Sequence, residues 1–252
     1  MPLQHNRCLA YQETAMAEQT TPQAAPRRSG ALQSSLSIDL HSHYAIRLWE
    51  GRRRDEAQTR GKKRPEIIGM PQAISRAGIA GRDSAAGNPY ADQVLVRLED
   101  ALKAATSRVR ETVEKVERVL TAIPAGINLS EVSSVEPLNL DVFSRSPLGY
   151  RCVWLLVHFD QLALKVFQAF HYGLISLSER DQYLNVGGHA VRQVYGVIQG
   201  YKTVPVTYDD IRNNTARGMA ATEKLGEIDP AILSGEKRSS FSPLLTTPAE
   251  KV

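Results

Sequence analysis

The chain has 252 residues, 42% of them hydrophobic, 23% charged and 6% aromatic, which suits one large, aliphatic, helix-rich domain. No apolar run approaches the ~20 residues of a membrane-spanning helix, the N-terminus lacks the apolar core of a secretory signal, and two cysteines, Cys8 and Cys152, exclude a disulfide framework, so the expected compartment is a reducing cytoplasm. The net charge of +4 is too small to name a partner, but its distribution along the chain is informative.

Residues 1–30 are rich in Gln, Thr, Ala and Pro without hydrophobic periodicity, the composition of a disordered tail. One α-rich domain is expected over 31–238. It opens with SLSIDLH, in which Leu36, Ile38 and Leu40 alternate with Ser37 and Asp39, the period of a half-buried strand. A short helix over 44–49, stopped by Gly51, comes next. Residues 52–88 read as a basic, then Gly- and Ala-rich flexible insertion with at most a short helix at 70–76. Between Arg47 and Arg64 stand eight basic residues and three acids, so this one segment holds all of the chain's positive excess. Such a segment suits a partner carrying phosphates; it equally suits a solvated loop.

The clearest helix spans 90–123. Leu98, Leu102, Ala105, Val109, Val113, Val116, Leu120 and Ile123 recur at steps of three and four, one apolar stripe that must pack against its own domain or a second subunit. Its acids and bases cancel, so it offers no electrostatic landing surface. A second strand, 137–145, places Leu138, Leu140 and Val142 on one face and Asn139, Asp141, Phe143 and Arg145 on the other. A largely apolar helix over 148–172 comes directly after it. Ser176 and Glu179 then form a capping box at the start of a helix running to 199, where Gly187 and Gly188 permit a kink or a close helix contact. One further helix is expected between Thr207 and Gly226, and a disordered tail over 239–252. LSIDLHSH at 36–43 is echoed by LNLDVFSR at 138–145, so the two strands could pair within the chain or across a dimer.

Chemical signatures are sparse. His41, His43, His158, His171 and His189 lack the HExxH or HxH-plus-carboxylate context that specifies a metal, and no metal or cofactor is expected. Asp160 lies on the buried side of its helix, and an ion pair with Arg192 or Arg212 is the expected reason. Cys152 sits in an apolar helix, where a thiol is inert. No nucleophile elbow, phosphate loop or dinucleotide turn occurs, so neither an enzyme nor a small-molecule substrate is expected. The arrangement 137–199 is strand, helix, helix. Two such strands, paired across a twofold axis, form a ribbon thin enough for the major groove, exposing Asn139, Asp141, Phe143 and Arg145, while the free amides at Ser176 suit a backbone phosphate. Asp141 argues against this use, because an acid facing DNA is tolerated only where it accepts from cytosine N4.

The segments SSLSIDLHSHYAIRLWEGRR, GYRCVWLLVHFDQLALKVFQAFHYGLIS and GEIDPAILSGEKR resemble a family of integrating conjugative element proteins, over about residues 30–238. That family is similar to the AcaB-like transcriptional activators of conjugative transfer genes, which have a ribbon-helix-helix DNA-binding fold. The resemblance implies a DNA-binding regulator of transfer functions; with the composition and the helix pattern, the expectation is a homodimeric, cytoplasmic protein that binds double-stranded DNA and has no membrane part. The resemblance matches no DNA-contacting position; from charge and strand pattern, Arg52, Arg53, Arg54, Lys62, Lys63 and Arg64 are expected to touch the DNA backbone, Ser176 to cap a phosphate, and Asn139, Asp141 and Arg145 to face the bases, and the two strands could exchange roles. The rival expectation is an accessory of the conjugation machinery that assembles through the helix at 90–123.

Overall fold

Ser42 is where the first strand gives way to the first helix. Its Oγ accepts from the Ala45 amide at 3.2 Å, which satisfies a donor left open at the helix start. Strand β1 (Leu36–Leu40) precedes it and helix α1 (His43–Glu50) follows. The structure is a computed structural model describing residues 35–52 and 66–245. The expected tail at 1–30, Arg53, Arg54, Lys62, Lys63 and Arg64 of the basic segment, and residues 246–252 lie outside the described residues.

Helix α2 (Met70–Ala85) replaces the flexible connection that composition suggests for this region. Its small residues are its packing face. Ala73, Ala77 and Ala80 are fully buried and bring α2 close to the two helices beneath it, α3 (Pro89–Thr121) and α4 (Pro147–His171). Asn88 caps α3 by accepting from the Tyr90 and Ala91 amides. The stripe of α3 is buried at Leu98, Leu102, Ala105, Val109 and Val116, against α4 and α5 (Leu177–Gln199) of the same chain. Helix α5 runs unbroken through Gly187 and Gly188. The glycines serve close packing: a Cβ on Gly187 would lie 2.6 Å from the Phe159 ring.

Strand β2 (Leu138–Val142) pairs antiparallel with β1, with Ile38 opposite Leu140. The two similar strands thus pair within one chain, and the order β2, α4, α5 is strand, helix, helix. After α5 the chain makes two helices, α6 (Tyr208–Arg212) and α7 (Ala216–Leu225), where one was expected. Asn214 separates them at φ +48°, a left-handed turn that asparagine tolerates. A four-residue helix, α8 (Pro230–Leu233), completes the element order.

The C-terminal segment beyond Arg238, expected to be disordered, is held in place as far as the described residues go. Ser239 Oγ and the Ser240 amide donate to Glu99 on α3 at 2.6 and 2.8 Å. Arg238 and Ser242 Oγ reach buried Asp92, and the Arg151 guanidinium lies 4.9 Å from the centre of the Phe241 ring. A Ser- and Pro-rich composition is compatible with order when buried carboxylates supply the acceptors.

Candidate nucleic-acid interface

The basic segment is pinned at its base. Arg52 and Ile67 exchange two backbone hydrogen bonds, at 2.7 and 3.0 Å, and next to them the chain crosses itself at two glycines. A Cβ on Gly51 would lie 2.5 Å from Gly69 N, and a Cβ on Gly69 2.5 Å from the Trp49 carbonyl oxygen; Gly51 also sits at φ +79°, a conformation that disfavours any side chain. The crossing is tied to the helical core on both strands. The buried Tyr195 hydroxyl of α5 donates to the Leu48 carbonyl at 3.0 Å, and Gln199 Nε2 donates to the Glu66 carbonyl at 3.3 Å. Burial, and secondarily the nearby Cys152, raise the Tyr195 phenol well above its ordinary value, so it stays a hydrogen-bond donor.

Arg52 also lines a cleft of about 590 Å³ with Arg47 of α1 and Arg192 of α5. Sequence reasoning did not single out this meeting. Arg47 was one cation of a run, and nothing in the chain links it to Arg192, which the helix pattern only suggested as a partner for Asp160. That acid is 2% exposed and is occupied otherwise: its two oxygens accept from the backbone amides of His41 and Ser42 at 2.8 and 2.7 Å. It therefore clamps the β1–α1 junction onto α4. Arg212 donates to the Leu233 carbonyl.

The ribbon turns Leu36, Ile38, Leu40, Leu138, Leu140 and Val142 inward. Its outer face carries Ser37, Asp39, Asn139 and Asp141, all exposed, and Asn139 Nδ2 donates to Asp39 Oδ1 at 2.7 Å. Two carboxylates and no cation make this face electrostatically unfavourable for phosphates. Arg145, three residues beyond β2, lines a separate cleft beside α2 with exposed Phe143 and Arg82. The structure therefore brings Asn139 and Asp141 to one face but sets Arg145 and Arg52 in different clefts.

Ser176 is the N-cap of α5, and Glu179 already occupies its donors. The Ser176 amide and Oγ both donate to Glu179 Oε2 at 2.7 Å, and those bonds, the backbone one first, hold the Glu179 carboxyl below its ordinary pKa. A phosphate at Ser176 would meet that carboxylate, whose charge opposes an anion there. Cys152 is buried, and burial pushes its thiol up to about 12 against the opposing charge of Arg151; a thiol so held is no nucleophile. Among the described residues no group of three or more His, Cys, Asp and Glu could hold a metal ion, and no helix is long and apolar enough to cross a membrane.

A helical body bearing a short antiparallel ribbon has a counterpart in a solved structure. The crystal structure of selenomethionine-containing AcaB from uropathogenic E. coli is similar, with a TM-score of 0.51 over 82% of this chain and 98% of that one, at 11% identity. The family model described as transcriptional regulator AcaB matches residues 28–246, so the chain belongs to the AcaB family of transcriptional regulators. No curated protein matches its sequence.

Proposed function

We propose that the protein regulates transcription by binding double-stranded DNA, as a homodimer, at the transfer genes of an integrating conjugative element. The observation that carries this reading is the basic segment itself: the chain's positive excess lies between Arg47 and Arg64, and its base is fixed to the helical core by the Arg52–Ile67 exchange and the glycine crossing. Arg52, Arg53, Arg54, Lys62, Lys63 and Arg64 contact backbone phosphates, which gives affinity and salt dependence without sequence preference. The β1–β2 ribbon with α4 and α5 acts as a ribbon-helix-helix-like element, narrow enough for a major groove ~12 Å wide. Its acidic face restricts Asp39 and Asp141 to accepting from cytosine, so Asn139 and Arg145 carry the base reading.

Binding of the purified protein to promoter fragments of its own element, against a shuffled duplex over a salt series, tests this directly. Fragment-selective binding that weakens steeply with salt is expected. Replacing Arg52, Arg53 and Arg54 with Gln should weaken binding to all duplexes alike and make the slope of log K against log salt shallower by about 3. Arg145→Ala should weaken only the selective binding, by roughly 1–3 kcal/mol. Affinity unchanged by both sets of substitutions would overturn the site assignment. The rival accessory role loses its main support, because the apolar stripe of α3 is covered by α4 and α5 of its own chain.

A further inference from the structure

Arg192 is half-buried in the cleft that also holds Arg47, Arg52, Glu50, Asn185 and the Phe159 ring. Its guanidinium folds back along α5 over Gly188, where a Cβ would stand 3.0 Å from Nη1; the absent side chain makes the space that this guanidinium uses. Among the described residues, the side chains of Arg47 and Arg192 have no hydrogen-bond or ion-pair partner, and neither pairs with Glu50 at the rim. A partly desolvated guanidinium without a counterion is unfavourable, and a second one beside it makes it more so. Burial first, and then the charge of Arg52, lower the basicity of Arg192.

We infer that this cleft between α1, α4 and α5 is a binding site for a phosphate-type oxyanion, held by Arg47, Arg52 and Arg192. Among the described residues the lining carries three guanidinium groups and one carboxylate, and planar guanidinium forks match phosphate oxygens in pairs. The cleft volume of about 590 Å³ lies in the range of small-ligand sites and exceeds the needs of a lone phosphate. Asn185 adds an amide donor and Phe159 an apolar wall. The phosphate has two sources: a nucleic-acid backbone, which would extend the proposed DNA contact beyond the basic segment, or a small phosphorylated effector. The inference about the cleft stands whether or not the protein reads DNA, since it rests on the guanidinium groups of Arg47 and Arg192 and on the cleft they line.

The test uses the full chain with pyrophosphate as probe, followed by calorimetry and by thermal melting. The wild type should bind pyrophosphate and melt higher in its presence. Arg192→Met should weaken that binding by about tenfold or more without lowering the melting temperature of the anion-free protein, since it removes an uncompensated charge. Arg47→Gln, on an exposed helix position, should weaken binding in the same direction and guards against any folding defect in the first variant. Absence of pyrophosphate binding to the wild type, or binding equal in both variants, would overturn the inference. A second arm adds a short duplex. Competition between duplex and pyrophosphate, lost in Arg192→Met, assigns the site to backbone phosphate. Simultaneous binding of both assigns it to a small effector. A protein that binds pyrophosphate at Arg192 but no duplex at any salt refutes the DNA reading and leaves the cleft assignment intact.

Discussion

Glu99 sits on the buried face of α3, 4% exposed, yet its carboxyl has a pKa of about 2 rather than 4.5. Burial alone would raise it; hydrogen bonds from Lys103, Ser239 and Ser240 outweigh that effect and stabilise the charged form. Because the folded value lies below the unfolded one, this carboxylate contributes stability above about pH 4.5, and the contribution is lost as the pH falls from 4.5 through 2. The shift corresponds to at most about 3 kcal/mol at neutral pH. Urea unfolding across that window should show stability falling with pH in the wild type and a flatter dependence in Glu99→Gln, which is less stable at neutral pH. Equal pH dependence in the two proteins would show that the Glu99 bonds to the C-terminal segment do not persist in solution. Asp160 shows why such roles escape a sequence reading. Its helical position marked it as buried, but its partners are backbone amides of His41 and Ser42, and a search for charged side chains could not find them. Arg192, the expected partner, faces the cleft instead.

At the scale of elements, periodicity was a good guide wherever large apolar residues carried it. Strands β1 and β2 and helices α3, α4 and α5 lie close to their expected bounds because each buries a face of Leu, Val, Ile or Phe. Helix α2 was legible only as a short helix at 70–76, for the opposite reason. Its buried face is Ala73, Ala77, Gly78 and Ala80, whose composition resembles a loop until tight packing on α3 and α4 is known. The base of the basic segment was legible as charge but not as geometry, because the Gly51–Gly69 crossing depends on two residues separated by the whole insertion. The stripe of α3 was legible, and its partner was not, since an apolar stripe is the same whether its cover is internal or a second subunit. Val109 decides the matter experimentally. It is 1% exposed, so Val109→Asp buries an unpaired carboxylate and should cost more than about 3 kcal/mol, abolishing the cooperative melt. If α3 were an assembly surface, the same variant would remain folded and lose only its oligomers, which circular dichroism and sedimentation together distinguish.

Among the described residues, the segment 238–245 ties the helices of the domain together. Arg238 and Ser242 reach Asp92, which also accepts from Ser84 Oγ at 2.6 Å and from the Tyr208 hydroxyl at 2.7 Å. Ser239 and Ser240 hold Glu99, and Phe241 packs against the core beside Arg151. One short segment thus joins α2, α3, α4 and the α6 region through two buried carboxylates; without it Asp92 keeps Ser84 and Tyr208, and Glu99 keeps Lys103. Ending the chain after Arg238 removes the donors from Ser239, Ser240 and Ser242 and exposes the surface under Phe241. Charged hydrogen bonds of this kind contribute roughly 1.5–3 kcal/mol each. The truncated chain should therefore lose about 3–5 kcal/mol and melt roughly 10 °C lower, whereas a chain ended after Leu245 keeps every one of these bonds and should melt with the wild type. Since the segment touches neither the ribbon's outer face nor the Arg47–Arg192 cleft, DNA affinity per folded molecule should be the same in both truncations. A shorter chain that melts with the wild type would mean that water replaces the segment at Asp92 and Glu99 without loss, and that the closure is only a surface contact.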